Sequence, residues 1–395
     1  MKDGMIGGVM VNLVKLLAVT LVIRFGLTLG LAEEVGVWIK LGVIGVIILL
    51  GAFYVLRKAA DIVEETTGVL AKKTGLAGGL LQSLGTAFPD MALGVVAALT
   101  SLRLSQSDYA GAVNYAIIAA ATTFGSNIYN IAHAAWCVWR QNVADRLEEK
   151  VVMFPWLGVG GWVRPMAKHR TKPSLPEIDT AFDVLNALTI LTAVVAVAMV
   201  VFGKISNPPA DISGDLYQLI RPVGVGVFLL AVGCLYYFRK TRRPEGTDGV
   251  ASESRLYGKA PMWLVWLALG VSAVAILWSA ESMVEAIKVL GDISHVPVVV
   301  VGVLAGIIGC LGEMLVVHNY SVHPHGRIAD ALVGVAMDNI VTTMGAAIVA
   351  MMGGIFLGGN ALIIIFVLVL ALNGVLMWQI SKLKTTLVKF MVVEK

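Results

Sequence analysis

Charged residues are scarce in this chain. Asp, Glu, Lys and Arg make up 14% of its 395 residues, whereas soluble domains carry about 25%. Hydrophobic residues make up 58%, which is more apolar surface than a water-soluble fold can bury. The composition therefore excludes ordinary soluble and disordered proteins and predicts a polytopic membrane protein.

Cysteine is also rare. Cys137, Cys234 and Cys310 are odd in number and lie in apolar stretches, which excludes a disulfide-rich secreted scaffold. The chain has no phosphate-binding glycine loop, and its net charge is only +4. We therefore predict no enzymatic activity, no cofactor and no nucleic-acid partner.

Long apolar runs are abundant. A membrane-spanning helix needs about 20 mostly apolar residues, and ten segments qualify: 9–30, 41–62, 78–102, 109–137, 181–203, 220–238, 262–286, 296–318, 328–352 and 360–381. Their apolar content is continuous rather than alternating, which favours helices over barrel strands. The sequence predicts an all-α polytopic membrane protein with about ten transmembrane helices. The apolar segment 151–163 is too short to cross and is predicted to be interfacial or re-entrant.

Lys and Arg indicate the orientation. Most of them fall in four segments, 57–73, 140–172, 239–259 and 382–389. With ten spans, the positive-inside rule places these segments and both termini in the cytoplasm, at a plasma or inner membrane. We predict four parts: an extra N-terminal transmembrane helix (1–35), a first half (36–238), a cytoplasmic linker (239–260) and a second half (261–395).

Three carboxylates lie at membrane depth. Ionisable side chains there cost about 2.5–3.5 kcal/mol each to insert, so Asp90, Glu313 and Asp338 are candidates for function. Pro89 removes a backbone donor just before Asp90, which predicts a kink and freed carbonyls. Carboxylates beside carbonyl and hydroxyl oxygens suit hard cations such as Na⁺ or Ca²⁺.

Neutral oxygens accompany these carboxylates. Ser126 and Asn130 are four residues apart and share a helix face, as do Asp338 and Thr342. Both halves contain a glycine-rich helix with a carboxylate, followed by a helix with an Asn-Ile pair. Because five spans, an odd number, separate the two patterns, the second must be inverted relative to the first. Inverted repeats around a midplane site are typical of secondary transporters.

Two motifs resemble a known family. Gly-Thr-Ala-Phe-Pro-Asp at 85–90 resembles the Gly-Thr-Ser-Leu-Pro-Glu motif of the sodium/calcium exchanger superfamily, the cation/calcium antiporters. Gly-Ser-Asn-Ile-Tyr-Asn at 125–130 resembles its Gly-Ser-Asn-Ile-Phe-Asn motif. The resemblance is specific over about 55–135. It is weak over about 278–352, where the second repeat is degenerate.

The resemblance implies exchange of Ca²⁺, or a related cation, against Na⁺, K⁺ or H⁺ at a site between two inverted repeats. Asp90 and Glu313 take its central acidic positions. The further ligand positions that it implies are Thr86, Ser126, Asn130, Asp338, Asn339 and Thr342. Several hydroxyls of the family pattern are missing, because Ala87 replaces a serine and Gly309-Cys310 replace a Thr-Ser pair.

Three functions remain open. The first is an antiporter that exchanges Ca²⁺ for Na⁺ without ATP, with inorganic cations and the lipid bilayer as partners. The second is an H⁺-coupled exchanger of Ca²⁺, Mg²⁺ or a transition metal, since three nearby carboxylates cannot all stay ionised without a cation. In that case the loop histidines His318, His323 and His325 could sense pH or collect metal. The third is a degenerate, non-transporting membrane protein. The sequence does not indicate an oligomeric state.

Overall fold

The computed structural model describes residues 2–74, 78–168, 173–208, 215–241, 257–258, 260–322, 328–353 and 356–393. Eleven α-helices form the body of this part of the chain. They are α1 (Lys2–Leu21), α2 (Val37–Leu49), α3 (Arg57–Thr74), α4 (Gly78–Leu104), α5 (Tyr109–Leu147), α6 (Leu175–Phe202), α7 (Arg221–Thr241), α8 (Met262–Ser294), α9 (Val298–Val322), α10 (Ile328–Met352) and α11 (Gly359–Val393).

Each of the ten predicted spans lies within one continuous helical run, to within two residues at either end. Apolar segments of this length become helices because a helix satisfies its backbone polar groups internally, which a bilayer requires. Seven helices of the described chain are long and apolar enough to cross a membrane. The predicted fold class, an all-α polytopic membrane protein, is confirmed. Residues 242–256 of the predicted linker lie outside the described residues.

Helices α5 and α9 cross at close range in the centre of the protein. A Cβ atom placed on Gly302 of α9 would lie 3.4 Å from the Cα atom of Ile118, and one on Gly306 would lie 2.7 Å from the backbone nitrogen of Ser126. Glycine lets the two backbones touch, as small residues commonly do in membranes. Because the contacts advance in the same direction along both helices, α5 and α9 are parallel.

Helix α4 completes this centre together with α10. Residues 105–108 connect α4 to α5, and the Asp108 carboxylate caps α5 by accepting a hydrogen bond of 2.9 Å from the Gly111 backbone nitrogen. So short a connection makes the two helices antiparallel neighbours. A Cβ atom on Gly94 would lie 2.5 Å from the Thr123 hydroxyl oxygen, so α4 and α5 also pack closely. Helix α10 packs against α4.

An outer layer covers one side of the centre. Helices α1, α2 and α3 pack against α8, and two π-helical turns, Val22–Leu27 and Leu50–Leu56, interrupt the first two runs. Arg24 in the first turn forms an ion pair of 2.9 Å with Glu281 of α8 and lies 4.0 Å from Glu285. Helices α6, α7 and α11 pack against the centre from other sides.

The segment predicted to be interfacial or re-entrant forms a β-hairpin. Strands β1 (Val151–Phe154) and β2 (Val159–Val163) pair antiparallel, with Val151 opposite Val163. Gly158, Gly160 and Gly161 have positive φ angles, which glycine adopts at little cost and other residues avoid. The hairpin lies against the C-terminal ends of α5 and α9.

A second small sheet lies at the opposite end of α5. Strand β3 (Leu216–Gln218) pairs antiparallel with β4 (Phe356–Gly358). Leu216 and Phe356 form a buried apolar cluster with Val113 and Ile117 in the first turns of α5. The parallel helices of the centre are thus capped by a pair of strands at each end.

Candidate cation site

Three of the predicted site residues meet at the centre of the protein. The Asn130 amide nitrogen on α5 donates hydrogen bonds to a carboxylate oxygen of Glu313 on α9 and, at 3.3 Å, to the amide oxygen of Asn339 on α10. Asn130 is 1% exposed, Glu313 is 2% exposed and Asn339 is fully buried. The glycine crossing of α5 and α9 brings Asn130 within reach of Glu313, because the contact of Ser126 with Gly306 lies about one turn before Asn130 and about two turns before Glu313.

Two predicted hydroxyls lie on the same helices. Ser126 donates a 2.9 Å hydrogen bond to the backbone oxygen of Thr123, and Thr342 donates one of 2.9 Å to that of Asp338. Hydroxyl protons are therefore directed at the helix backbone, and the oxygen lone pairs remain able to accept or to coordinate. Ser126 and Thr342 are fully buried and Asp338 is 6% exposed, next to Asn339 on α10.

The first-repeat carboxylate falls on α4. The side chains of Asp90 and Thr86 lie outside the described residues, so their placement stays a prediction. The backbone of α4 is helical through Pro89, where the sequence predicted a kink.

Sequence reasoning overlooked Asn127. This residue is 1% exposed, and its amide oxygen has no hydrogen-bond partner in the described part of the chain. Thr123, one turn earlier on α5, lies against Gly94 of α4. Since α4 and α5 are antiparallel, Asn127 lies at the level of the α4 turn that contains residue 90. Asn127 is the third residue of the Gly-Ser-Asn-Ile motif. The family resemblance implied ligand positions only for Ser126 and Asn130 in this motif.

Basic residues are rare in the helices that carry the predicted site residues. Lys and Arg are absent from the sequences of α9 and α10, and from α5 before Arg140. Buried carboxylates need a counter-charge or a proton. Carboxylate, amide and hydroxyl oxygens, which these helices carry, are the ligand types that hard cations prefer.

Among the described side chains, no group of three or more His, Cys, Asp and Glu residues could hold a metal ion. His318 stacks on His133, with ring centroids 5.9 Å apart. His323 and His325 lie outside the described residues. Glu313 and Asp338 are the carboxylates with described side chains among the predicted site residues.

Comparisons with known proteins agree with this architecture. No family model and no curated protein matches the sequence. Among solved structures, the H⁺/Ca²⁺ exchanger CAX superposes with a TM-score of 0.52 at 13% identity, over 97% of this chain and 98% of that one. The sodium-calcium exchanger NCX_Mj, soaked with 100 mM Na⁺ and 10 mM Sr²⁺, gives 0.45 at 15% identity, over 84% and 90%. The protein therefore has the fold of the CAX exchanger, which confirms the sequence resemblance at the level of the fold.

Proposed function

We propose that this protein is a secondary active antiporter that exchanges Ca²⁺ for Na⁺ by alternating access. The observation that carries this proposal is the buried meeting of Asn130, Glu313 and Asn339, which are contributed by three different helices. The CAX fold supports it, because that solved structure is named as an H⁺/Ca²⁺ exchanger.

The proposed mechanism follows from charge. Without a cation, the Asn130 amide nitrogen stabilises the Glu313 carboxylate. An entering Ca²⁺ replaces that donor, and the carboxylates of Glu313, Asp90 and Asp338 supply the charge that a hard divalent cation prefers. Ser126, Asn130, Asn339, Thr342 and Thr86 complete the shell with neutral oxygens. An empty, charged site is costly at membrane depth, so the protein changes its accessible side only when a cation fills the site.

Ion flux in proteoliposomes tests this proposal. Purified protein with an imposed Na⁺ gradient should drive Ca²⁺ uptake, and Glu313→Gln should abolish it. Asp215→Asn is the matched control, because Asp215 pairs with Lys204 outside the membrane-spanning helices and its side chain is 54% exposed. Absence of flux for Ca²⁺, Mg²⁺ and Zn²⁺ would favour the degenerate, non-transporting alternative.

A second candidate is exchange of a divalent cation for H⁺. The loss of hydroxyls at Ala87, Gly309 and Cys310 removes oxygens that Na⁺ would need, while the buried Asp338 carboxylate offers a position for a proton. A lumenal pH dye distinguishes the two: Ca²⁺ uptake driven by a pH gradient without Na⁺, and accompanied by proton release, identifies H⁺ coupling.

The membrane arrangement is part of the proposal. We place both termini and linker 239–260 in the cytoplasm of a plasma or inner membrane, with residues 1–35 as an extra helix before two inverted halves, 36–238 and 261–395. A cysteine introduced at position 247 of the linker, in a background without the native cysteines, should react with an impermeant thiol reagent only from the cytoplasmic side.

A further inference from the structure

The β1–β2 hairpin lies against both α5 and α9 beyond the candidate cation site. The backbones of the two helices touch at Gly125, where a Cβ atom would lie 3.0 Å from Val303 Cα. Further towards their C-termini, the two helices contact each other through the stacked rings of His133 and His318, whose centroids are 5.9 Å apart. Side-chain contacts thus replace backbone contacts past the site, and the hairpin lies against both helices there, with β1 on α5 and β2 on α9.

Hydrogen bonds attach the hairpin to α5. The Trp136 indole donates to the Met153 backbone oxygen at 3.1 Å, and the Arg140 guanidinium donates to the Val152 backbone oxygen at 3.0 Å. Directly after β2, the Gln141 amide donates to the Arg164 backbone oxygen at 2.9 Å. These bonds include a charged donor, and charged donors form the stronger class of hydrogen bond.

The buried carboxylate of Asp145 adds a further attachment to α5. It accepts hydrogen bonds from the Met166 backbone nitrogen and, at 3.1 Å, from the Gln141 amide. The chain that follows the hairpin is thus tied to α5 over one and a half turns.

Contacts of a different kind join the hairpin to α9. The Phe154 ring stacks on the His318 ring with centroids 5.7 Å apart and an interplanar angle of 11°. At the last residue of α9 the contact is steric, since a Cβ atom on Gly161 would lie 3.3 Å from Val322 Cβ. Ring stacking and van der Waals contact separate more readily than the charge-assisted bonds to α5.

We propose that the β1–β2 hairpin is a lid over the cation site. It moves with α5 and parts from α9 along the contacts of Phe154 with His318 and of Gly161 with Val322. His318 is five residues from Glu313, about 7.5 Å along the helix, so opening this contact exposes the site on the side where α5 and α9 end. This inference rests on the proposed transport function, but it concerns the route to the site rather than the ion.

A reversible cross-link tests the lid. A Cβ atom on Gly161 would lie 3.3 Å from Val322 Cβ, slightly closer than the ~3.5–4.5 Å of disulfides, so with a small shift of the hairpin Gly161→Cys with Val322→Cys should lock it to α9. The background carries Cys137→Ala and Cys234→Ala and keeps the buried Cys310, three residues from Glu313, as a reporter of access. Oxidation should lower Ca²⁺ flux at least tenfold and slow maleimide labelling of Cys310 at least tenfold, and reductant should restore both.

The control cross-link ties the hairpin to itself. Val152 and Trp162 are paired across β1 and β2, so Val152→Cys with Trp162→Cys should form a disulfide without changing flux or labelling. If the locked protein transports and labels as fast as the reduced one, the lid is refuted. If the reduced protein carries no flux but its Cys310 labelling still depends on the lock, the transport proposal fails and the lid stands.

A variant without a cross-link covers the case in which Cys at position 161, where φ is +81°, prevents folding. Phe154→Ala removes the ring that stacks on His318 and leaves the hydrogen bonds to α5 in place. Labelling of Cys310 should then become several-fold faster than in the same background with Phe154. An unchanged labelling rate in the folded variant would overturn the proposal.

Discussion

Asn130 donates a hydrogen bond to Glu313 across 183 positions of sequence, and this bond joins the two halves of the chain at their centre. Both side chains are buried, and both come from the motifs that first suggested a transporter. In the proposed mechanism, this bond stabilises the Glu313 carboxylate until a cation enters.

Removing the amide should weaken cation binding. In Asn130→Ala the Glu313 carboxylate loses its donor and the site loses an oxygen, so the half-saturating Ca²⁺ concentration should rise at least tenfold, which corresponds to about 1.4 kcal/mol. Ca²⁺-dependent flux at graded concentrations measures this. Asn142→Ala is the matched control, because Asn142 donates to Gln379 away from the site. Equal curves for Asn130→Ala and the unmodified protein would contradict a ligand role.

Replacing Asn127 should affect Ca²⁺ affinity and protein stability in different ways. Its buried amide oxygen has no partner among the described residues, and a buried unsatisfied group destabilises a fold by about 1–3 kcal/mol. Asn127→Ala should therefore lower Ca²⁺ affinity while the Tm of the cation-free protein stays equal or rises. A purely structural asparagine would behave in the opposite way, with a lower Tm and unchanged affinity.

Much of this arrangement could be predicted from the sequence. Long apolar runs specify helices because only helices satisfy the backbone in lipid. The motif residues Asn130, Glu313 and Asn339 could be identified as site candidates before the structure brought them together, although their role as ligands stays a prediction.

Other features depend on contacts distant in sequence. Helix α5 continues to Leu147, well beyond the predicted end at residue 137, because the hairpin holds the polar side chains of Arg140, Gln141 and Asp145. The hairpin could not be predicted from the sequence. A short apolar segment with three glycines, such as 151–163, indicates a turn but does not indicate that its two ends pair as strands. The β3–β4 pair joins segments more than 130 residues apart, which no local pattern reveals.

Asp145 should make the stability of the protein depend on pH. Burial raises the pKa of this carboxyl from 3.8 to about 6, although the bonds from Met166 and Gln141 oppose the shift. The folded state therefore holds this proton more tightly than the unfolded state, and stability should fall as pH rises from about 4 to about 6 and then level off. Thermal unfolding in detergent across this range measures the slope.

Asp145→Asn provides the comparison, because the amide oxygen can accept the same two hydrogen bonds without carrying a charge. The stability of the variant should not show this fall between about pH 4 and about pH 6. At pH 7.5 the variant should be more stable than the unmodified protein, by up to about 3 kcal/mol. A variant that is less stable than the unmodified protein at pH 7.5 would show that the ionised carboxylate stabilises the fold instead.

Removing one partner of the Arg24–Glu281 ion pair should destabilise the protein more than removing both. Arg24→Met removes the partner that Glu281 and Glu285 have in the π-helical turn Val22–Leu27, and we expect a loss of about 1 kcal/mol because the side chains are partly exposed. Adding Glu281→Gln should restore most of that loss. Urea or thermal unfolding of the single and double variants completes the cycle, and additive losses would argue against direct pairing.

The two π-helical turns meet the same stretch of α8. Arg24 in Val22–Leu27 pairs with Glu281, and Gly51 in Leu50–Leu56 lies against Met283 and Ser279. A π-helical turn contains one residue more than an α-helical turn. Each of the first two helical runs therefore contains one extra residue where it faces α8. Deleting one residue from either turn would leave a regular α-helix of nearly the same length. Because the wider turn takes up its extra residue, the segments on both sides would keep their faces towards α8, and the deletion would remove only the contacts that the turn itself makes with α8.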